Sequence, residues 1–339
     1  MKYGPREEES FSVDLSRRGL FVLCEGNYMY GNASLTYYDP ESRSAENEVF
    51  VRANAFPIGD VLQSMTENGG LCYAVVNNSG VIFAIDPATF REKGRVTGFT
   101  SPRHIHFVSD TKAYVTQIWD PRIFIVDFES RTITGFVATD MDFETGSTEM
   151  MVQIGKYIYI NCWSYQNRIL RLDTETDTID ASLEVGLQPS AIVADRSGFL
   201  WAITDGGYEG SPYGYEAPTL CRIDPETFCV TRTFTFPMGS SPRSLVAGPG
   251  AECIYWINGG VYKMDIEAAA LPSEPLIEGE GALFYAMTVD PASGEIYVSD
   301  AIDYTQNGVV SRYSADGATL LDTFTVGVNP GGFCWREAQ

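Results

Sequence analysis

Short apolar segments that contain an aromatic residue recur along the whole chain. Alternating apolar and polar positions, together with frequent β-branched residues, favour strands over helices in these segments. Neighbouring aromatic positions lie 41 to 54 residues apart, which predicts a repeated structural unit. The seven segments read LFVLC, CYAVV, AYVTQ, YIYIN, LWAIT, IYWIN and IYVSD, with the aromatic residues Phe21, Tyr73, Tyr114, Tyr159, Trp201, Tyr255 and Tyr297.

Each repeat predicts four strands, and the unit at residues 189–233 shows their order most clearly. It reads PSAIVAD, a turn RSG, FLWAITD, a loop, TLCRID, a turn PET, and FCVTRTF. Aspartate at the end of the third strand can bond the backbone of its own turn, and proline presets the first turn angle. The first strand returns as PRHIHFV, PRSLVAG and PGGFCWR, and the turn returns as IDPATF, VDFESR and LDTETD.

A four-stranded unit with a period of about 40 to 50 residues is typical of a β-propeller. We therefore predict an all-β fold, a seven-bladed propeller of four-stranded antiparallel blades, in a single domain over residues 1–339. The segment NPGGFCW at 329–335 resembles a first strand with no second strand after it. We expect this C-terminal strand to join the N-terminal blade and close the ring, because an open ring would leave blade edges unpaired. Residues 1–10 are expected to form a flexible tail.

The charge of the chain argues against two classes of partner. The formal net charge is −22 and the isoelectric point is near 4.4. Phosphate backbones and anionic lipid surfaces are repelled on average, so we expect no nucleic-acid partner. No stretch approaches the ~18 to 20 consecutive apolar residues of a membrane helix, and the start MKYGPREEES lacks the apolar core of a secretion signal. We expect a monomer in solution.

The seven cysteines are an odd number without CxxC spacing and lie scattered through apolar runs. This pattern predicts buried free thiols. Cys221 and Cys229 flank the turn IDPETF, where strand alternation places their side chains on opposite faces of the hairpin. We therefore predict no disulfide between them.

The segments YVTQ at 114–117 and YVSD at 297–300, with IDPATF and IDPETF, resemble the repeats of the YVTN-type propellers, also called YncE-like or surface-layer-type propellers. The resemblance covers essentially the whole chain. It implies a bacterial protein that is exported or anchored at the cell surface, as a lipoprotein in similar propellers of gut Bacteroidetes. Some of these capture corrinoids for an outer-membrane transporter. No ligand-contact motif of the family maps onto this sequence residue by residue.

Two sets of connections are expected at opposite ends of the ring. The turns between strands one and two and between strands three and four are short and polar. The connections between strands two and three, and the crossings between blades, leave from the other end, which we call the loop face. Five blades place aromatic residues there: Tyr28, Tyr30, Trp119, Trp163, Tyr165, Tyr208, Tyr213, Tyr215 and Tyr304. Such residues offer apolar area with a hydrogen-bonding edge, so we predict a ligand-binding surface for a flat, partly polar ligand.

The crossings between blades reach the loop face nearer the axis. They place Arg103, Glu149, Arg243 and Tyr285 around the mouth of the central channel as candidate ligand-binding residues. An alternative interpretation is that the two arginines only pair with nearby carboxylates in this acidic protein.

The only two histidines, His104 and His106, lie two residues apart on a predicted innermost strand and hence on one face. No third ligand with recognisable spacing accompanies them, so we predict no metal site and no cofactor. There is no GxSxG, HExxH or P-loop motif, and we predict no catalytic residue.

We interpret the chain as a non-enzymatic binding protein for a small or medium ligand. A corrinoid is implied by the resemblance, and a glycan by the stacking of sugars on tyrosine and tryptophan. One alternative is a lyase or hydrolase with His104 or His106 as base near Arg103 and Glu149. Another is a platform that binds an outer-membrane transporter or other surface protein.

Overall fold

A computed structural model describes residues 7–338 and arranges them in seven antiparallel sheets. We number the sheets as blades 1 to 7 along the chain. The strands of blades 1 to 3 are β1 (Gly19–Cys24), β2 (Ser34–Asp39), β3 (Ser44–Glu46), β4 (Leu62–Asn68), β5 (Leu71–Val76), β6 (Val81–Ile85), β7 (Glu92–Thr97), β8 (Pro102–Phe107), β9 (Lys112–Gln117), β10 (Arg122–Asp127) and β11 (Thr132–Ala138). Those of blades 4 to 7 are β12 (Met151–Ile154), β13 (Tyr157–Cys162), β14 (Arg168–Asp173), β15 (Thr178–Glu184), β16 (Pro189–Ala194), β17 (Leu200–Thr204), β18 (Thr219–Asp224), β19 (Cys229–Thr235), β20 (Arg243–Ala247), β21 (Cys253–Asn258), β22 (Gly260–Asp265), β23 (Phe284–Val289), β24 (Ile296–Asp300), β25 (Asn307–Tyr313) and β26 (Leu320–Val328). The last strand, β27 (Pro330–Arg336), returns to blade 1.

The predicted closure of the ring is confirmed. β27 pairs antiparallel with β1, so blade 1 has the strand order β27-β1-β2-β3. The register places Leu20 opposite Trp335 and Val22 opposite Phe333. The first strand of each blade packs near the first strand of the next, and β23 packs against β27. The chain therefore forms the predicted seven-bladed propeller, with the two ends joined in one blade.

The recurring aromatic residues all lie on the second strand counted from the axis and are at most 7 % exposed. Burial of a large aromatic side chain removes about 150 to 250 Å² from water, which makes these residues the main packing elements between blades. The indole of Trp201 also donates to Asp195 Oδ2 at 2.8 Å. The period of the sequence therefore corresponds to one buried aromatic position in each blade.

A polar residue two or four positions after the aromatic residue links one blade to the next. Its side chain donates to the backbone carbonyl at the start of the neighbouring innermost strand, so that the carbonyl is not left unpaired in the interior. Four blades use this link, through Asn77 to Pro102 O (3.0 Å), Thr116 to Glu149 O (2.8 Å), Asn161 to Pro189 O (2.7 Å) and Ser299 to Pro330 O (2.7 Å).

Blade 6 departs from the prediction, because its sheet has three strands within the described part of the chain. The expected fourth strand falls in the segment 266–283, which contains Pro272 and Pro275. Proline cannot donate to a strand ladder. The segment instead touches β22 through a single bridge between Val261 and Ile277. The prediction of four strands in every blade is therefore wrong for blade 6.

A short helix, α1 (Val49–Asn54), lies between blades 1 and 2 and was not predicted. It buries Val49, Phe50 and Ala53 against the propeller. Among residues 7–338 it is the only α-helix, and no helix there has the length and apolar character to cross a bilayer. Residues 1–6 of the predicted tail lie outside the described residues. Within the rest of that tail, Glu9 N donates to Arg52 O at 2.8 Å.

The cysteines are all free thiols. Cys221 is buried and Cys229 is exposed, in keeping with the opposite faces expected for them. The register places Cys221 opposite Thr233, and Asp224 opposite Cys229.

Candidate functional site

The loop face has the aromatic residues that the sequence indicated, but they fall into two separate groups. The larger group comes from blades 3 to 5 and contains Trp119, Trp163, Tyr165, Tyr208, Tyr213 and Tyr215. The smaller group comes from blades 7 and 1 and contains Tyr28, Tyr30, Tyr285 and Tyr304. No ring contact joins the two groups within residues 7–338. The face therefore offers two aromatic surfaces on different sides of the channel mouth.

Four rings of the larger group line a cleft of ≈ 510 Å³ between the loops of blades 4, 5 and 6, which we call the aromatic cleft. Its walls come from the β13–β14 loop, the β17–β18 loop and the crossing into β20. The lining residues are Trp163, Ser164, Tyr165, Gln188, Asp205, Gly207, Tyr208, Glu209, Tyr215, Gly239, Ser240 and Ser241. Aromatic rings, carboxylates and hydroxyls thus face the same space.

Tyr165, which lines the aromatic cleft, belongs to a row of three rings with Tyr213 and Trp119. Tyr165 and Tyr213 are stacked, with centroids 4.1 Å apart and planes 26° apart. The ring centroid of Trp119 lies 6.2 Å from that of Tyr165, and the two ring planes are tilted by 41°. Trp119, Tyr213 and Tyr215 remain 39 to 46 % exposed. The row therefore presents ring surface to solvent that packing within the protein does not use.

Asp205 holds the loops of blades 4 and 5 together at the base of the cleft. Its Oδ2 accepts from the indole of Trp163 at 2.8 Å, and its Oδ1 accepts from Gln188 Nε2 at 2.9 Å and from Gly207 N at 2.8 Å. Gln188 in turn accepts from Tyr165 N at 3.1 Å. One carboxylate thus fixes the positions of Trp163 and of the backbone that carries Tyr165.

Several loop-face residues adopt a left-handed backbone conformation, which is uncommon for bulky side chains. Trp119 has φ 62°, Tyr165 has φ 70° and Tyr304 has φ 62°. Such conformations cost about 1 to 3 kcal/mol and are concentrated at functional sites. The loops therefore present these rings at the expense of local backbone energy.

The innermost strands carry a β-bulge at one level of the channel. Six of the seven strand pairs show a register shift there, and in blade 4 both Glu149 and Met150 bond Asn161. A bulge redirects a side chain out of the strand alternation. The residues at these positions are Gln63, Arg103, Glu149, Ser190, Ser244, Tyr285 and Gly331, and all seven line one cavity.

This cavity, which we call the axial cavity, has a volume of ≈ 440 Å³. Arg103 Nε donates to both carboxylate oxygens of Glu149 at 2.9 and 2.8 Å, and its Nη1 donates to Gln63. Burial raises the pKa of Glu149, but Arg103 and the nearby His104 outweigh it, so this pKa lies below its usual value. Glu149 is only 3 % exposed, so the two charges form a buried ion pair.

A second carboxylate enters the cavity from blade 1. Glu25 follows β1, and its Oε2 accepts from the Tyr285 hydroxyl at 2.9 Å. Burial raises the pKa of Glu25 despite the hydrogen bond from Tyr285 and the charge of Arg103. Burial and the neighbouring Glu25 also raise the pKa of Tyr285, so its hydroxyl remains a donor.

The two predicted arginines have different surroundings. Arg103 pairs with Glu149, as the alternative interpretation held. Arg243 has no carboxylate within salt-bridge distance in the described part of the chain, and its Nη2 donates to Ser241 at 3.2 Å. Arg243 is therefore a cation without a carboxylate partner among the described residues, at the loop-face end of β20 and near the wall of the aromatic cleft.

The histidines occupy different levels of the channel. His104 lines the axial cavity, with Nε2 3.7 Å from Glu149 Oε2. His106 lies further along β8 and contacts Gln153 Oε1 at 2.9 Å. Among the described residues, no group of three His, Cys, Asp or Glu side chains is placed to hold a metal ion.

A family model described as "Domain of unknown function (DUF5074)" matches residues 18–326. This chain belongs to the DUF5074 family. The matched range ends before β27, so the strand that closes the propeller of this DUF5074 protein lies outside the matched residues. None of the curated proteins shows a sequence match to the chain.

Many solved structures share the fold of this DUF5074 protein, including two at 16% identity. One is a quinonprotein alcohol dehydrogenase-like protein from Bacteroides thetaiotaomicron, with 16% identity and a TM-score of 0.68 over 96% of this chain and 79% of that chain. The other is the hydrazine synthase of Kuenenia stuttgartiensis, with 16% identity and a TM-score of 0.58 over 77% of this chain and 80% of that chain. At this identity the likeness shows the propeller fold alone.

Sequence reasoning missed several polar residues of the DUF5074 propeller. Glu25, Gln63, Gln188 and Asp205 were not predicted as site residues. A usable signal existed for Glu25 and Asp205, because each directly follows a second-strand segment at its loop-face end. Gln63 carried no such signal, because its orientation depends on a bulge.

Proposed function

We propose that this protein is a non-enzymatic binding propeller that acts outside the cytoplasm or at the cell surface and captures a small or medium ligand in the aromatic cleft. The stacked pair Tyr165 and Tyr213 carries the proposal, because Tyr165 lines a cleft of ≈ 510 Å³ and Tyr213 is 46% exposed. Placement outside the cytoplasm rests on the resemblance to YVTN-type propellers.

The chemistry of the cleft supports a ligand with flat faces and polar edges. Tyr165, Tyr213 and Trp119 offer ring surfaces for stacking, and Glu209, Ser240 and Ser241 offer polar groups around them. Sugars and corrinoids both have this character. Both oxygens of Asp205 already accept hydrogen bonds from the loops, which gives this carboxylate a positioning role.

The proposal predicts that a glycan or corrinoid stabilises the protein in a thermal-shift experiment with cobalamin, cobinamide and common glycans. A ligand present at 100 times its Kd adds about 2.7 kcal/mol of stability. Replacing Tyr165→Ala together with Tyr213→Ala removes the stacked pair and should weaken binding about tenfold or more.

The matched control is Tyr28→Ala with Tyr30→Ala, which removes two rings of the same type from the smaller aromatic group. Those two rings are 65 and 79 % exposed, so their removal should leave both stability and ligand binding unchanged. Absence of any stabilising ligand, or equal binding by the Tyr165/Tyr213 variant, would contradict the proposal.

A second candidate function is protein binding at the smaller group. Tyr28, Met29 and Tyr30 form a run of three exposed apolar side chains, which is typical of an interaction surface. Capture of a surface protein, such as a transporter, that is lost with Tyr28→Ala and Tyr30→Ala but retained by the Tyr165/Tyr213 variant would favour this role.

A further inference from the structure

We infer that the axial cavity is a second binding site, which accepts a small organic ammonium ion with an apolar body. The proposal does not depend on the aromatic cleft, because the two spaces have no lining residue in common. It assigns the ammonium group to Glu25 and the apolar body to the deeper part of the cavity.

The charges in the cavity leave one carboxylate without a cationic partner. Arg103 and Glu149 neutralise each other in a buried pair. Glu25 accepts a hydrogen bond from the Tyr285 hydroxyl, and no Lys, Arg or His of the described chain lies within salt-bridge distance of Glu25. Glu25 is half-buried, and charges shielded from water are normally paired, so this carboxylate facing a cavity indicates the place of a cation.

The fold makes room for the Glu25 side chain inside the ring. A Cβ atom added at Gly331 would lie 2.3 Å from Glu25 Oε1, closer than two such atoms can approach. Gly331 is the bulged residue of β27, so the closing strand is shaped around this carboxylate. Glu25 is therefore held over the cavity rather than directed to the outer surface.

Aromatic rings beside Glu25 suit a cation as well. The Tyr285 ring, whose hydroxyl contacts Glu25, packs edge-to-face on Tyr304 with centroids 5.8 Å apart. The negatively polarised face of a tyrosine ring attracts ammonium groups. A carboxylate and neighbouring rings are thus available to the same positive group.

Below the level of the bulges the lining becomes mostly apolar. The innermost strands start at the loop face, so residues later in each strand lie deeper in the channel. These deeper lining residues include Met65, Met150, Val246, Met287 and Phe333, with the polar Thr288 beside Met287. Burial of an alkyl chain against them removes apolar surface from water and so favours binding.

An anion is the less favoured occupant of this cavity. Arg103, the arginine in the lining, already binds Glu149 through Nε and Gln63 through Nη1. Glu25 faces the same space and would repel a negative group. The net charge of −22 further enriches cations near the protein.

The test is calorimetric titration of the full chain with n-hexylammonium, and with n-hexanol and hexanoate as neutral and anionic probes of equal length. Hexylammonium is expected to bind more tightly than hexanol, and hexanoate is expected not to bind. Glu25→Gln should weaken hexylammonium binding about tenfold or more, because a charge-assisted bond is replaced by a neutral one. Glu129→Gln, an exposed turn glutamate at the opposite end of the ring, should leave binding unchanged.

Two further variants distinguish a site built around the Glu25 carboxylate from general apolar binding and from binding in the aromatic cleft. Gly331→Ala keeps the charge of Glu25 but displaces its side chain, and should also weaken hexylammonium binding. The Tyr165→Ala and Tyr213→Ala variant, which removes the proposed ligand stack of the aromatic cleft, should bind hexylammonium normally. Equal affinity for hexanol and hexylammonium, or binding that survives both Glu25→Gln and Gly331→Ala in folded protein, would overturn the proposal.

Discussion

A chain that ends at Asn329 is expected to lose cooperative folding. The truncation removes β27, which is the innermost strand of blade 1 and pairs along the whole length of β1. Without it, the buried residues Leu20 and Val22 face an open edge. The expected loss is comparable with the whole stability of a domain, about 5 to 15 kcal/mol, so the shortened chain should unfold or associate.

Three contacts of β27 explain why neighbouring blades should be affected too. Ser299 donates to Pro330 O at 2.7 Å, and Trp335 packs on Tyr297 with centroids 5.4 Å apart. Arg336 is fully buried and donates to backbone carbonyls of the segment before β1, including Leu15 O at 3.2 Å. Removal of β27 therefore also breaks contacts that stabilise blade 7 and the segment before β1.

Thermal unfolding followed by circular dichroism, with size-exclusion chromatography, checks this expectation. The matched control is a chain that ends at Arg336, which keeps β27 complete and should melt cooperatively as a monomer. A chain ending at Asn329 that melts in the same way as the control would show that the ring does not need its closing strand.

Glu149→Ala is expected to destabilise the protein by about 3 to 5 kcal/mol, because it leaves the guanidinium of Arg103 in the cavity wall without its carboxylate partner. The Glu149 side chain is 5% exposed and that of Arg103 is 15% exposed, so water replaces the lost partner poorly. The pKa of Glu149 lies below its ordinary value of 4.5. The carboxylate's contribution to stability is therefore present above that value and is lost as the pH falls below it.

The free energy of unfolding in urea measures this effect. Asp140→Ala provides the control, since it breaks an ion pair of the same type with Arg168 in which the Asp140 side chain is 73% exposed. That change should cost at most about 1 kcal/mol. Replacing both partners, as Arg103→Met with Glu149→Leu, should recover much of the loss. Equal losses for Glu149→Ala and Asp140→Ala would show that the cavity pair is solvated.

The fold was largely predictable because one packing rule is repeated in every blade. A residue such as Trp201 or Tyr297 must fill the space between two sheets, and that requirement recurs with each unit. The closing strand was recognisable because PGGFCWR matches a first strand and lacks a continuation. Both signals arise from local sequence that each blade needs in order to bury its surface.

The exceptions have causes that the repeat does not contain. In blade 6 the segment with Pro272 and Pro275 occupies the place of a fourth strand, although its length alone allowed one. The helix α1 covers the gap between two blades, and its six residues are too few to show a helical period. The repeat pattern therefore does not predict the structure of segments inserted between repeats.

The candidate sites were predictable in part. Blade topology assigned the aromatic loops to one face, but it did not show that blades 3 to 5 and blades 7 and 1 form separate groups. The axial cavity depends on bulges at Gln63, Arg103 and Tyr285, which shift the register by amounts that alternation cannot reveal. Such irregularities are set by the contacts of neighbouring strands, so they required the three-dimensional structure.

Ligand binding in the aromatic cleft can be seen in a crystal structure of the protein soaked with the most stabilising glycan or corrinoid. We expect density for a ring of the ligand against the stacked pair Tyr165 and Tyr213, with polar edges near Glu209 and Ser240. Density only on the Tyr28 and Tyr30 loop, or at the turn end of the ring, would contradict it.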